Sequence, residues 1–380
     1  MKRRDLIVYS ILFLVCIGIT SEIVTFQLTG NHIFSTNATV AIENKDTAVC
    51  SDDAMKERPT TSDPQLKVIA EYEKVCGSAF LDDMMIFTNM PISDPNANAA
   101  ADMMTARLKD FDKQHITPIV IMEPDSDWGL VDFHEYATGY YDDWMTTYFM
   151  RLKSNGITDA MMGLWIPFPE PQQPTWNNSS PDDFAYSVNR YFKTLRQAFP
   201  AGKTGILLDS QVGVSDKASQ LLAYTRLIDN SLVDVAGLQG FPWHPPDDDK
   251  RSEITSADEF APAYLLEEVA KSLDTRDVLL NVGSYRHRKA DNGGDIAITT
   301  SERRATLNSI VYETSLLRKQ NYNVTVNVFA ENKFDTKEGV DWSYWITADD
   351  ESSEQTLLFT SFVHHLKENG SVIGLYDSRP

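Results

Sequence analysis

The chain has 380 residues, 42% of them hydrophobic, with 18 glycines and 17 prolines. This composition excludes wholesale disorder and supplies a large buried core, in one long domain or two ordinary ones. A formal net charge of -21 repels phosphate backbones and anionic lipid, so nucleic acid is not an expected partner and a neutral or cationic ligand is easier to accommodate.

Lys2, Arg3 and Arg4 precede an apolar run from Leu6 to Ile19, which suits the core of a signal peptide and is short for a membrane span. Gly18-Ile19-Thr20 is a poor cleavage triplet, and Ile23, Val24 and Phe26 lengthen the apolar stretch. Residues 1–26 therefore read as a signal peptide or as an uncleaved membrane anchor whose basic flank stays cytoplasmic. Either way the remainder is expected outside the cytoplasm, secreted or anchored. Residues 27–37 read as a linker, and the Thr-, Ser-, Asn- and Asp-rich composition runs on to about residue 64, with "TVAIEN" inside it patterned as a strand.

From residue 38 to 380, short β-rich runs alternate with longer amphipathic segments. Strands are predicted at 38–43, 80–88, 117–123, 161–168, 204–209, 233–241, 277–285 and 324–330. Helices are predicted at 64–76, 97–113, 140–155, 182–199, 215–228, 256–273, 301–320 and 352–368. Ser180-Pro181-Asp182-Asp183 puts a capping residue, a proline and two acids where a helix start favours them. Eight strands alternating with eight helices make a (β/α)₈ TIM barrel after the N-terminal leader, with the working face at the C-terminal ends of the strands. On this layout Cys50 and Cys76 stand too far apart for a disulfide. Sequons occur at Asn37, Asn177, Asn178, Asn323 and Asn369.

The residues ending the predicted strands then share one rim: Glu123, Glu170, Asp209, Trp243, Tyr285 and Glu331. Six of the seven tryptophans fall on it or beside it, with Trp128, Trp176, Trp243, Trp342 and Trp345 in loops and Trp165 in the strand before Glu170. Carboxyl groups among flat aromatics suit carbohydrate, because sugar rings stack on indoles and glycosidic bonds break between two carboxyl groups. Each feature also has a plainer use: a strand-end tryptophan can cap the core, and Glu123 and Asp209 can accept hydrogen bonds from loop amides. Glu170 stands apart because an apolar strand runs straight into it: "GLWIPFPEPQQPTWNN".

Several segments resemble glycoside hydrolase family 26, retaining (β/α)₈ enzymes of the β-mannanase type. "YEKVCGSAFLDDMMIFTNMP", "TPIVIMEP", "GYYDDWMTTYFMRLKSNG", "WIPFPEPQQPTWNN" and "VDVAGLQGFPW" are similar to successive segments of that family, in order and spacing more than in identity. The resemblance implies a β-linked polysaccharide or oligosaccharide as partner and Glu170 as acid/base, and the rim of the predicted barrel puts Glu123, Trp128, Trp176, Asp209, Phe241, Trp243, Tyr285 and Trp342 around the substrate. Three positions depart from the family: Pro169 replaces its histidine, Phe241 its sixth-strand tyrosine, and "DVLLNVGSYRHR" has no carboxylate where the strand-seven nucleophile is expected. Glu331, which ends "NVFAE", is the substitute base or nucleophile, and across a barrel from Glu170 it suits an inverting pair. The competing expectation is a carbohydrate-binding barrel without catalysis. No metal or organic cofactor is implied, since His and Cys do not cluster at ligand spacings. The chain is expected to be a monomer.

Overall fold

A computed structural model describes residues 58–76, 80–88, 90–91, 94–123, 131–172, 180–209, 217–240, 262–282, 287–289, 295–297, 299–329, 334–335, 340–341 and 353–376. The chain divides into two units, Met1–Ala41 and Ile42–Pro380, and all described residues belong to the second. The leader, the linker and the predicted strand 38–43 lie outside the described residues.

Eight parallel strands close a barrel: β1 (Asp83–Thr88), β2 (Thr117–Met122), β3 (Leu164–Pro167), β4 (Lys203–Asp209), β5 (Val235–Gln239), β6 (Asp277–Val282), β9 (Asn323–Phe329) and β12 (Val372–Tyr376). The ring order is β1-β12-β9-β6-β5-β4-β3-β2. α1 (Pro64–Cys76) precedes β1, and between the strands run α2 (Ala97–Gln114), α3 (Phe133–Thr138), α4 (Asp142–Ser154), α5 (Asp159–Met162), α6 (Pro181–Ala198), α7 (Lys217–Thr225), α8 (Pro262–Ser272), α9 (Thr300–Lys319) and α10 (Ser353–Glu368). A small antiparallel sheet of β7 (His287–Lys289), β8 (Asp295–Ala297), β10 (Phe334–Asp335) and β11 (Val340–Asp341) joins the loops that follow β6 and β9.

The barrel interior follows from period-two patterning. Met85, Ile119, Ile121, Leu164, Ile166, Leu207, Val235 and Leu279 meet in one buried cluster. The outward residues pack under the helices, among them Val120, Trp165 and Ile206, all fully buried. The expected helix start at Ser180 is present, with its hydroxyl accepting from the Asp183 N–H at 3.0 Å.

Two expectations require correction. The ring closes without residues 38–43, because β1 pairs with β12 on one side and β2 on the other. The eighth strand is β12, from "VIGLY", a run that a mid-strand glycine and a late position made easy to pass over. Every predicted strand number therefore falls by one. The predicted strand 161–168 begins too early: α5 occupies Asp159–Met162, and Gly163 turns the chain at φ 63°, where a side chain would strike the Pro118 carbonyl.

Candidate functional site at the C-terminal mouth

Four polar residues close four adjacent strands. Glu123 follows β2 by one residue, Glu170 follows β3 by three, Asp209 is the last residue of β4 and Gln239 the last of β5. Glu123 and Asp209 lie two residues beyond Ile121 and Leu207, both interior, so alternation aims them toward the barrel axis. Asp209 and Gln239 are buried, while Glu123 and Glu170 are half-buried.

The turn carrying Glu170 explains why an apolar strand runs into an acid. Prolines stand at 167, 169 and 171, so Phe168 and Glu170 hold the only backbone donors between them. Phe168 N–H donates to Met122 O on β2 at 3.2 Å, and Glu170 N–H donates to Leu207 O on β4 at 2.8 Å. The turn is thus tied to both neighbouring strands. Both residues take left-handed backbone, φ 51° for Phe168 and 53° for Glu170, a conformation costing about 1–3 kcal/mol each away from glycine. The Phe168 ring offsets that cost. It is fully buried, edge-on to Phe133 at 5.2 Å, Tyr136 at 4.8 Å and Tyr191 at 6.3 Å.

A second group was not foreseen from sequence. Asp209, Gln239, Asn281, Asn327 and Gly374 are successive register partners across β4, β5, β6, β9 and β12. They form one row of inward positions. Asn281 Nδ2 donates to Gln239 Oε1 at 2.8 Å and lies 3.8 Å from Met85 Sδ, inside the barrel. Asn281 Oδ1 and both side-chain polar atoms of Asn327 are buried without a hydrogen-bond partner among the described residues, and neither residue is exposed at all. Asn327 Oδ1 rests where a side chain on Gly374 would have to go. Beside the row, Asp209 N–H donates to Gln172 Oε1 at 3.3 Å, while Gln172 Nε2 has no partner among the described residues. The sequence does hold a signal for the row: polar residues at inward positions of "VAGLQ", "DVLLNV" and "NVTVNVF".

Glu331, Trp128, Trp176, Phe241, Trp243, Tyr285, Trp342 and Trp345 lie outside the described residues. Phe241 is two residues past β5, Tyr285 three past β6, Glu331 two past β9 and Trp342 one past β11. Trp165 is corrected: it points away from the axis, its Nε1 donating to Met162 O at 2.8 Å and its ring packing on Phe149 at 5.4 Å. It is core, not rim. His364 and His365, on α10, both pair with Glu368, at 3.1 and 3.0 Å.

The opposite mouth of the barrel holds a cavity of ≈ 930 Å³ lined by Asp82, Asp83, Lys203, Asp277, Asn323 and apolar interior residues. Burial, and then the neighbouring Asp82 charge, push the Asp83 carboxyl up to about 7. Conserving barrel stability is the usual business of this end, and chemistry belongs to the other.

No family model matches the chain, and no curated protein does. Solved structures match the barrel. The family 1 β-glucosidase from Thermotoga maritima superposes with a TM-score of 0.53 at 13% identity, covering 80% of this chain and 86% of its own. The β-glucosidase of the same organism bound to deoxynojirimycin gives 0.51 at 13% identity, covering 80% and 86%. The virulence factor SghA, bound to its substrate analog salicin, gives 0.50 at 10%, covering 79% and 84%. At such identities the likeness shows the fold, and the expected assignment to family 26 is not borne out by any match.

Proposed function

We propose that this chain is a glycoside hydrolase acting on β-linked saccharides, with Glu170 as its general acid. The observation carrying this reading is the turn at residues 167–171, where a half-buried carboxylate is held in strained backbone at the C-terminal mouth of an eight-stranded parallel barrel. The structural likeness to β-glucosidases supports it. Glu331 is the proposed second carboxylate. It follows β9, which lies four strands from β3 either way around the ring. That opposition favours a separation of roughly 6.5–9.5 Å, which admits a water, over the roughly 5–5.5 Å of a retaining pair. In such a reaction Glu331 takes a proton from the water as its oxygen attacks the anomeric carbon. The glycosidic C–O bond breaks and Glu170 protonates the departing oxygen. The exported or membrane-anchored location and the mannan- or glucan-like substrate remain part of the proposal, resting on the leader and the family 26 resemblance.

A second reading comes from the corrected strand count. Asp277–Val282 forms the sixth barrel strand, so the acid missing after it is not a missing strand-seven acid, and Glu331 follows the seventh. Asp209 ends the fourth, the position where the family 26 resemblance expects an acid/base, while Glu170 follows the third. In this reading Asp209 takes the acid's part and Glu170 positions the sugar.

Hydrolysis of p-nitrophenyl β-glucoside and β-mannoside, and of mannan and glucan, tests both readings. Glu170→Gln and Glu331→Gln should each reduce the rate by about 10²–10⁴-fold with sugar binding kept. If only Asp209→Asn does so, the second reading holds. If Glu170→Gln and Asp209→Asn both leave turnover untouched, the activity is not from this mouth.

A further inference from the structure

The row across β4, β5, β6, β9 and β12 borders the buried cluster of Met, Ile, Leu and Val inside the barrel. A buried carboxamide without a partner costs about 1–3 kcal/mol. Asn281 leaves one acceptor unmet, and Asn327 leaves both its donor and its acceptor unmet. An apolar side chain of the same shape would remove that cost, so stability alone does not explain asparagine at 327. The row starts at the rim, at the last residue of β4, and reaches β9 two residues before its end, about 7 Å lower by strand rise. Gly374 completes it by leaving room for the Asn327 carboxamide.

Resting on the glycosidase reading of the same mouth, we propose that Asn281 and Asn327 are the floor of its sugar site and select neutral, hydroxyl-bearing pyranosides over uronides. A hydroxyl group both donates and accepts. Lowered from the rim, it can give its proton to Asn281 Oδ1 or Asn327 Oδ1 and accept from Asn327 Nδ2, meeting both needs at once. A carboxylate only accepts, so it leaves the free carboxamide oxygens unmet, and it also brings negative charge toward Asp209 at the head of the row. Asn327 acts here as a specificity residue, with Gln239 holding Asn281 in place through the 2.8 Å bond.

The test uses the full chain, calorimetric titration with p-nitrophenyl β-glucoside and p-nitrophenyl β-glucuronide, and thermal unfolding of Asn327→Leu, whose side chain copies the shape of asparagine. The expected result is tighter binding of the glucoside than of the glucuronide by the wild type. In Asn327→Leu, glucoside affinity should fall about tenfold while Tm rises. If Asn327→Leu does not fold, Asn327→Ala should lower glucoside affinity in the same way, because it removes both polar atoms. An unchanged glucoside affinity together with a lowered Tm would overturn the proposal and assign the amides to buried water. Equal affinity of the wild type for both sugars, or binding of neither, would overturn it too. Selective binding of the glucoside with no turnover of either sugar supports the floor while removing the hydrolase reading.

Discussion

Glu170 is tied by its backbone to Leu207: its N–H donates to the Leu207 carbonyl at 2.8 Å, so the acid at the end of β3 is fixed to the neighbouring strand β4. Two residues beyond Leu207 stands Asp209, which places both acids on one short arc of the mouth. The prolines on either side of Glu170 leave this bond as the local backbone anchor, and the left-handed φ of 53° sets the direction of the side chain. Four measurements follow from this arrangement and from the barrel around it.

Removing the strain at Glu170 should separate stability from activity. Glu170→Gly relieves a left-handed backbone that only glycine adopts freely, so the folded state should gain about 0.5–1 kcal/mol in chemical denaturation. Hydrolysis should be lost in the same variant. A gain in stability with activity retained would show that the carboxylate has no part in the chemistry.

Phe168 is the anchor of the turn, so its ring matters twice. Phe168→Ala empties a site enclosed by Phe133, Tyr136 and Tyr191 and should cost about 3–5 kcal/mol of stability. Phe168→Leu should cost less. Both should lower kcat more than they raise KM, since Glu170 loses its support while the polar row stays intact. Equal activity in a folded Phe168→Leu variant would free Glu170 from dependence on this ring.

Gly374→Ala tests the packing beneath Asn327. The added methyl meets the Asn327 carboxamide oxygen and the β1 backbone at Asp83, and should destabilise by about 1–3 kcal/mol. Combining it with Asn327→Ala should recover part of that loss, a coupling that a double-mutant cycle measures. Strict additivity would mean the two residues do not touch.

Asp83 makes stability depend on pH at the other mouth. Its carboxyl rises from 3.8 unfolded to about 7 folded, so the folded state binds the extra proton between these values. Its contribution is fully present below about pH 4 and is lost as pH climbs through 7. Asp83→Asn removes the loss. Compared at pH 5 and pH 8, the variant should gain about 1–3 kcal/mol over the wild type at the higher pH. A difference that does not change with pH would mean that Asp83 is ionised in both states. Glu313, raised to about 7 by burial, adds a loss of the same sign that the Asp83 variant leaves in place.

The sequence by itself determined the kind of element at most positions and their order. Period-two runs such as "TPIVIM" and "TGILLD" can bury alternate residues only as strands, and the long amphipathic segments between them can cover such strands only as helices. It also marked Glu170, because an acid at the end of a buried run between prolines is visible as a local pattern. Which eight strands close the ring was decided by tertiary structure, since closure depends on β12 pairing with β1 across nearly the whole chain length, a contact that no local window contains. The direction of Trp165 was decided the same way: a buried tryptophan in a strand looks alike on either face until the helices outside are in place. The row from Asp209 to Gly374 rests on register between five strands distant in sequence. Each of its polar residues, taken alone, reads as an isolated asparagine or glutamine in an apolar run. Only the parallel pairing aligns them, and only the closed barrel buries their amides.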